Sequence, residues 1–212
     1  ERREEIHGSI ARLEKELDAA AGKLHDSRLA ASVPFAAQME GLIHSLELPY
    51  AVFEVALSEV PVSASGKDAV AFRFSSTGKN AVDIAKCASG GELSRIMLAL
   101  KAMRARFANM PTMIFDEIDT GVSGSVADKM GTMICEMGAY MQVFAITHLP
   151  QVAAKGSAHY LVTKDVDASA DKTVSTIKRL SADERVLEVA RMLSGSALTD
   201  AAIANAKSLL SI

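Results

Sequence analysis

Three carboxylates, Asp116, Glu117 and Asp119, fall within the stretch PTMIFDEIDTGVSG, directly after the apolar run Met113–Phe115. Such a run reads as a buried strand, and its C-terminal end is where open α/β sheets present ligands. Adjacent acids can divide labour there. Asp116 could orient Mg²⁺ through its water shell, while Glu117 activates a water for attack on a phosphoryl group. A solvated strand end, with one acid capping a helix, accounts for the two residues equally well. Further on, MQVFAIT reads as a second buried strand and leads into His148. A neighbouring parallel strand would bring this histidine to the same edge, where it could donate a hydrogen bond to phosphoryl oxygens. His7, His25 and His44, in the helical N-terminal region, and His159 have no comparable placement.

A second stretch, KCASGGELSRIMLALK, offers a grip for anions. Ser89 and Glu92 have the spacing of a capping box at a helix start. That explains them but not two consecutive glycines, which cost backbone entropy without packing. Gly90 and Gly91 would let a ligand approach the backbone, and the positive end of the following helix favours phosphate. The run G-x-x-x-x-G-K-[ST] is absent from the sequence. SGKD at 65–68 and TGKN at 77–80 read instead as exposed turns. Cys87 and Cys135 have no metal-site spacing and fit reduced thiols.

The elements that must position these groups follow from periodicity. Ile6, Ile10, Leu13, Leu17, Ala20 and Leu24 alternate in steps of four and three, the repeat of about 3.5 that marks a coiled-coil seam. Pro34 is expected to kink or end that helix, and FAAQMEGLIHSLEL to form a second segment reaching residue 48. YAVFEVALSEV and AVAFRFSS alternate as strands around the turn region PVSASGKD. A helix over about 91–108, the strand TMIFD, a helix over about 124–137 and the strand MQVFAIT follow. HLPQVAAKG gives a short helix, AHYLVTKD and TVSTIKRL two strands around the polar loop VDASADK. Two helices end the chain, the second capped by Thr199. Strands alternating with helices argue for an α/β layer with a mainly parallel core and antiparallel strands at its flanks.

Bulk properties narrow the classes. Hydrophobic content of 49% and charged content of 23% describe an ordered, soluble protein. A net charge of −3 gives no global argument for nucleic-acid binding. It leaves room for local patches, for which Arg95, Lys101, Arg104 and Arg106, then Lys155, Lys172, Lys178 and Arg179, are the candidates. No apolar stretch is long enough for a bilayer span. A first residue of Glu inside a helical pattern reads as a fragment, and a seam without a second strand implies that its partner helix lies elsewhere.

In their order and spacing these motifs resemble an ABC-type ATPase head. ASGGE at 88–92 resembles the signature turn, and TMIFDE the Walker B strand with its catalytic glutamate. IDTGVSG is similar to the D-loop, and ITH to the switch-histidine loop. The coiled-coil arm ahead of them is similar to the ATPases related to structural maintenance of chromosomes (SMC). Within these, FRFSSTGKNAVDIAKCASGGELSRIMLALK, ITHLPQVAAKGSAHYLVTK and VLEVARMLSG resemble the bacterial RecN family.

The resemblance implies an α/β fold, the C-terminal lobe of an ABC/SMC-type P-loop NTPase head with an N-terminal coiled-coil arm. Residues 1–47 would be the arm segment and helical junction, and 48–212 the head lobe. It further implies ATP and Mg²⁺ as ligands of the complete head. Ser89, Gly90 and Gly91, in one turn with Glu92, would meet the γ-phosphate held by another subunit. Asp116, as the Mg²⁺ residue, with Glu117 and His148, would act on the nucleotide of their own head. Asp119 would couple the two sites. Walker A and the glutamine loop would belong to a missing N-terminal half, so the chain alone is expected to be inactive. The implied partners are that half, a second head in an ATP-dependent homodimer, and DNA engaged by the full-length protein during double-strand break repair, in the cytoplasm at the nucleoid and not at a membrane. Another SMC-like or ABC-type ATPase of chromosome organisation or excision repair is the alternative, and a non-enzymatic coiled-coil assembly module a further one.

Overall fold

A helix of 44 residues, α1 (Arg2–Ser45), opens the chain. The computed structural model describes residues 2–86, 89–167, 172–195 and 198–212, with the side chains of 165–167 and 172–174 outside the description. Cys87, Ala88 of the ASGGE turn, most of the polar loop after Val166 and the Lys172 side chain therefore lie outside the described residues. The chain divides into two compact units, 1–93 and 94–212.

In the first unit, Ile6, Ile10, Leu13 and Leu17 stay about half exposed along α1. An apolar stripe at heptad spacing that nothing covers is what a coiled-coil stub presents. Further along, α1 becomes a core helix, burying Met39 and Ile43. The surface it meets is the antiparallel hairpin of β1 (Val52–Ser63) and β2 (Gly66–Ser75). Phe35 of α1 lies 6.2 Å from the Phe53 ring and stacks on Phe72 at 5.8 Å. Polar links repeat the contact. The Phe53 amide donates to Glu40 Oε1 at 3.0 Å, and His44 Nε2 donates to the Ala51 carbonyl at 2.8 Å.

The tightest link is at Asp68, whose side chain is 1% exposed. It accepts from His25 Nδ1 at 2.6 Å and from Arg28 Nη1 at 3.1 Å, while Arg28 Nη2 donates to the Ser65 carbonyl at 2.8 Å. Beside it, Gly66 (φ +94°) has Leu24 so close that an added Cβ would fall 2.8 Å from it. SGKD is thus not an exposed turn: Gly66 and Asp68 are buried where β2 starts under α1. TGKN is the exposed turn expected of it, with Gly78 and Asn80 at positive φ. The hairpin reverses over two residues at 64–65, so the strands extend through most of the region expected to be loop.

Pro34 neither ends nor divides α1. An interior proline costs ~3 kcal/mol, and tertiary packing on both sides of it, Leu24 and Arg28 before and Phe35 and Met39 after, offsets that locally unfavourable residue. The same packing places the hairpin in one unit with the helix. The boundary of the compact units accordingly falls at 93/94.

Asp68 gives this unit a pH dependence. The hydrogen bond from His25, and then Arg28, hold its carboxyl below the ordinary carboxylate range, against the opposing effect of burial. A carboxylate with a depressed folded pKa stabilises above its unfolded value of ~3.9, and that stabilisation is lost as pH falls through the lower folded value. Acid unfolding followed by circular dichroism should therefore steepen below pH ~4, and Asp68→Asn should flatten that limb. An unchanged profile would remove Asp68 as its source.

Helix α2 (Gly90–Ala108) follows a short strand β3 (Val82–Asp83) and contains the unit boundary. In the second unit, β4 (Thr112–Asp116) pairs in parallel with β5 (Gln142–Ile146), with Asp116 opposite Ile146. Their connection is α3 (Gly124–Met137), which buries Ala127, Met130, Gly131, Met133, Ile134 and Met137. Gly131 permits close approach of α4 (Pro150–Lys155): a Cβ there would lie 3.1 Å from the Val152 Cα. A hairpin of β6 (Tyr160–Asp167) and β7 (Lys172–Arg179) leads to α5 (Ala182–Ser194) and α6 (Asp200–Leu210). These helices share a core of Val186, Val189, Ala190, Ala202 and Ala206. Thr199 caps α6 as expected, accepting from the Ala202 amide.

Two expectations about the sheet need correction. Among the described residues, parallel pairing is confined to β4–β5, and the other two sheets are antiparallel. A hairpin with a two-residue loop can only be antiparallel, whereas parallel pairing requires a crossover such as α3. Nor are β4 and β5 buried on both faces. Met113 and Phe115 are covered, but Ile114, Phe144 and Ile146 are 62%, 46% and 55% exposed. Ile114 faces Phe144 in register, so one side of the strand pair is an open apolar surface.

Candidate active site

The acidic edge is built by the register of β4 and β5. Asp116 closes β4 opposite Ile146, and the Glu117 amide donates to the Ile146 carbonyl at 3.2 Å, adding one more rung. The chain then turns sharply, with Glu117 at φ +48°. That left-handed conformation is uncommon for a residue with a side chain, and persists where surrounding bonds enforce it. Here Thr120 enforces it twice, donating its amide and its hydroxyl to the Glu117 carbonyl at 3.2 and 2.8 Å. Ser94 Oγ of α2 in turn donates to the Thr120 carbonyl at 3.2 Å. Asp116 and Glu117 are both exposed.

Asp119 is placed differently. It is 1% exposed, the most buried acid of the edge. Its Oδ2 accepts from the Thr147 hydroxyl, whose oxygen also accepts the Leu149 amide at 2.9 Å. Its Oδ1 is buried without a hydrogen-bond partner and lies 3.9 Å from Nδ1 of His148, whose ring is 67% exposed. Parallel pairing thus brings His148, through Asp119, to the strand end that carries Asp116 and Glu117. Thr147 and Thr120 were not singled out from sequence. The available signal was a hydroxyl residue immediately beside each singled-out group.

The Ser89 turn belongs to the first unit. Ser89 caps α2: its Oγ accepts the Glu92 amide at 3.1 Å and its carbonyl accepts the Leu93 amide at 3.1 Å. Gly90 and Gly91 form the first turn of the helix. Among the described residues a Cβ on Gly90 would meet nothing within 4 Å, and its φ is not positive.

Among the described residues no group of three or more His, Cys, Asp or Glu side chains is arranged to hold a metal ion. Mg²⁺ bound to a nucleotide keeps its waters and takes only one or two carboxylates. The exposed Asp116 beside Glu117 fits that smaller demand. Of the basic candidates for phosphate contact, several already have intramolecular roles. Lys101 lies 5.3 Å over the Phe115 ring, Lys155 pairs with Asp128 at 2.9 Å, and Lys178 pairs with Glu184. Arg104 and Arg179 are exposed, as is Arg106, which lies 6.0 Å over the Tyr140 ring. No helix among the described residues is long and apolar enough to cross a membrane.

No family model matches the chain. It is 40% identical over 199 residues to DNA repair protein RecN of Vibrio cholerae, covering 91% of this chain and 35% of that protein. To DNA repair protein RecN of Rickettsia conorii it is 39% identical over 209 residues, covering 97% of this chain and 38% of the relative. The chain thus spans just over a third of the length of these curated relatives. Among solved structures, the Smc head domain with a coiled coil and joint from Pyrococcus yayanosii superposes with a TM-score of 0.63 at 22% identity, over 89% of this chain and 33% of that one. A chain described under ATP-driven dimerization and DNA-stimulated activation of SMC ATPases gives 0.52 at 19% identity, over 77% of this chain and 98% of that one. Over most of its length, therefore, this chain is homologous to the bacterial DNA repair proteins called RecN, and its α/β fold with a leading helix resembles that of the Smc head domain with a coiled coil.

Proposed function

We propose that this chain is the C-terminal lobe, with part of the arm (residues 1–47), of an SMC-like ATPase head that serves recombinational repair of DNA double-strand breaks. The reading rests first on one observation: β4 and β5 bring Asp116, Glu117, Asp119 and His148 to one sheet edge in parallel register. Homology to proteins named for DNA repair supplies the process. The site of action is then the cytoplasm, at the nucleoid.

In this reading a second lobe, carrying a phosphate-cradling loop, completes the head. The exposed apolar face of Ile114, Phe144 and Ile146 supports such a cover, since burying it would remove a contiguous apolar patch from water. Each residue then has a chemical task. Asp116 would hold the water shell of Mg²⁺, which when bound would supply charge neutralisation for the phosphates. Glu117 takes a proton from the attacking water, and the rigid turn aims its carboxylate outward. His148 donates to the phosphoryl oxygens, and Ser89, Gly90 and Gly91 close over a nucleotide bound by a second copy. Without the phosphate cradle the chain alone lacks most of the positioning that phosphoryl transfer needs, and hydrolysis by it should be negligible.

The test is to supply the completing lobe, taken from a homologous full-length sequence, and to measure ATP-dependent dimerisation by light scattering. Dimers should form with ATP and be lost with Ser89→Arg, which puts a bulky cation at the turn. Dimerisation indifferent to both ATP and Ser89 would favour a coiled-coil assembly module.

A further inference from the structure

We propose that Asp119 is a positioning residue: its buried carboxylate anchors the loop that carries His148 and takes the hydrogen on His148 Nδ1, leaving Nε2 as the ring atom offered to substrate. The substrate clause rests on the ATPase reading above; the anchoring does not.

The two carboxylate oxygens have different situations. Oδ2 is committed to Thr147, whose hydroxyl gives its only hydrogen there and accepts from the Leu149 amide. That chain of bonds clamps the backbone on both sides of His148 to the turn after β4. Oδ1 is buried and unpartnered. A buried acceptor left unpaired is costly, and native structures almost always supply a donor. His148 Nδ1 stands 3.9 Å away on a ring that is 67% exposed and has room to turn. A small rotation closes that gap to hydrogen-bond length. The ring nitrogen held by a carboxylate then carries the proton of the neutral imidazole, and the opposite nitrogen is aimed outward. The geometry is that of a buried acid orienting a histidine it does not exchange protons with.

This differs from the role implied by resemblance, a contact across an interface. With its side chain enclosed within its own unit, Asp119 acts on the nucleotide only through His148. It thereby ties the turn holding Glu117 to the loop holding His148, so that the two groups move as one piece.

The experiment is nitrogen-15 NMR of the imidazole rings in the 212-residue chain, at a pH where His148 is neutral. The expected wild-type result is a His148 ring mainly in the Nδ1–H form, against the Nε2–H form that unconstrained neutral histidine prefers. Asp119→Ala should return it to the Nε2–H form, while His7, on the exposed part of α1, keeps its spectrum. A role confined to folding would lower the melting temperature of Asp119→Ala without moving the tautomer, and that result would overturn the proposal. Should the variant fail to fold, wild type decides alone: a mainly Nε2–H ring at His148 also overturns it. No nucleotide enters the measurement, so its outcome is independent of whether the completed head hydrolyses ATP.

Discussion

Replacing Glu117 by Gln in a completed head is expected to lower ATP turnover by roughly 10²- to 10⁴-fold, the range a positioned general base contributes. Head pairing in the presence of ATP should survive, because Gln keeps the volume and polarity of the side chain and loses only its ability to take a proton. The backbone should tolerate the change. The left-handed conformation at Glu117 is held by main-chain bonds, its own amide on Ile146 and its carbonyl under Thr120, and none of these involves the carboxylate. Single-turnover hydrolysis, measured alongside ATP-dependent dimerisation, separates the two effects. Turnover within a few-fold of wild type would take the general-base role from Glu117 and leave it an architectural residue of the turn.

The second large effect concerns the arm. Phe53→Ala should destabilise the first unit by about 3–5 kcal/mol, the usual cost of truncating an enclosed phenylalanine. Phe53 is 1% exposed, with Phe72 at 5.4 Å and Phe35 of α1 at 6.2 Å. Its removal opens a cavity between helix and hairpin that the three-ring cluster cannot refill. A loss of that size is a large part of the 5–15 kcal/mol that holds a typical domain together. Urea unfolding followed by far-ultraviolet circular dichroism would give the magnitude. Amide exchange would give the location, with protection falling in α1, β1 and β2 before α5 and α6. A loss below about 1 kcal/mol, the typical cost of an average substitution, would mean that the polar links at Asp68, Glu40 and His44 hold the arm without the rings.

The two tests address separate physical layers. In the proposed head Glu117 would act through the chemistry of one exposed side chain, whereas Phe53 acts through its packing between α1 and the hairpin.

Much of this was legible locally. The helix over 124–137 and the strand TMIFD form at the bounds their apolar periodicity sets. Ser89 and Thr199 cap their helices because a hydroxyl placed just before a helical run reaches the free amides of the first turn. The heptad stripe of α1 was readable for the same reason: neighbours along one chain decide it. Motif order likewise identified which acids and which histidine would share a sheet edge, because parallel strands joined by a helix bring equivalent ends together.

What local reading missed was decided across long separations. His25 and Arg28 sit 43 and 40 residues from Asp68, and Thr147 sits 28 from Asp119. Nothing in a window of neighbours shows that SGKD lies under a helix, that Pro34 can stay inside α1, or that one face of β4 and β5 remains open. The sequence by itself determined the helices, the strands, their caps and the groups able to do chemistry, since those depend on spacing and on side-chain type. Only the tertiary structure decided which acid is exposed and which is enclosed, because burial and pairing are properties of packed elements and not of the residues that compose them.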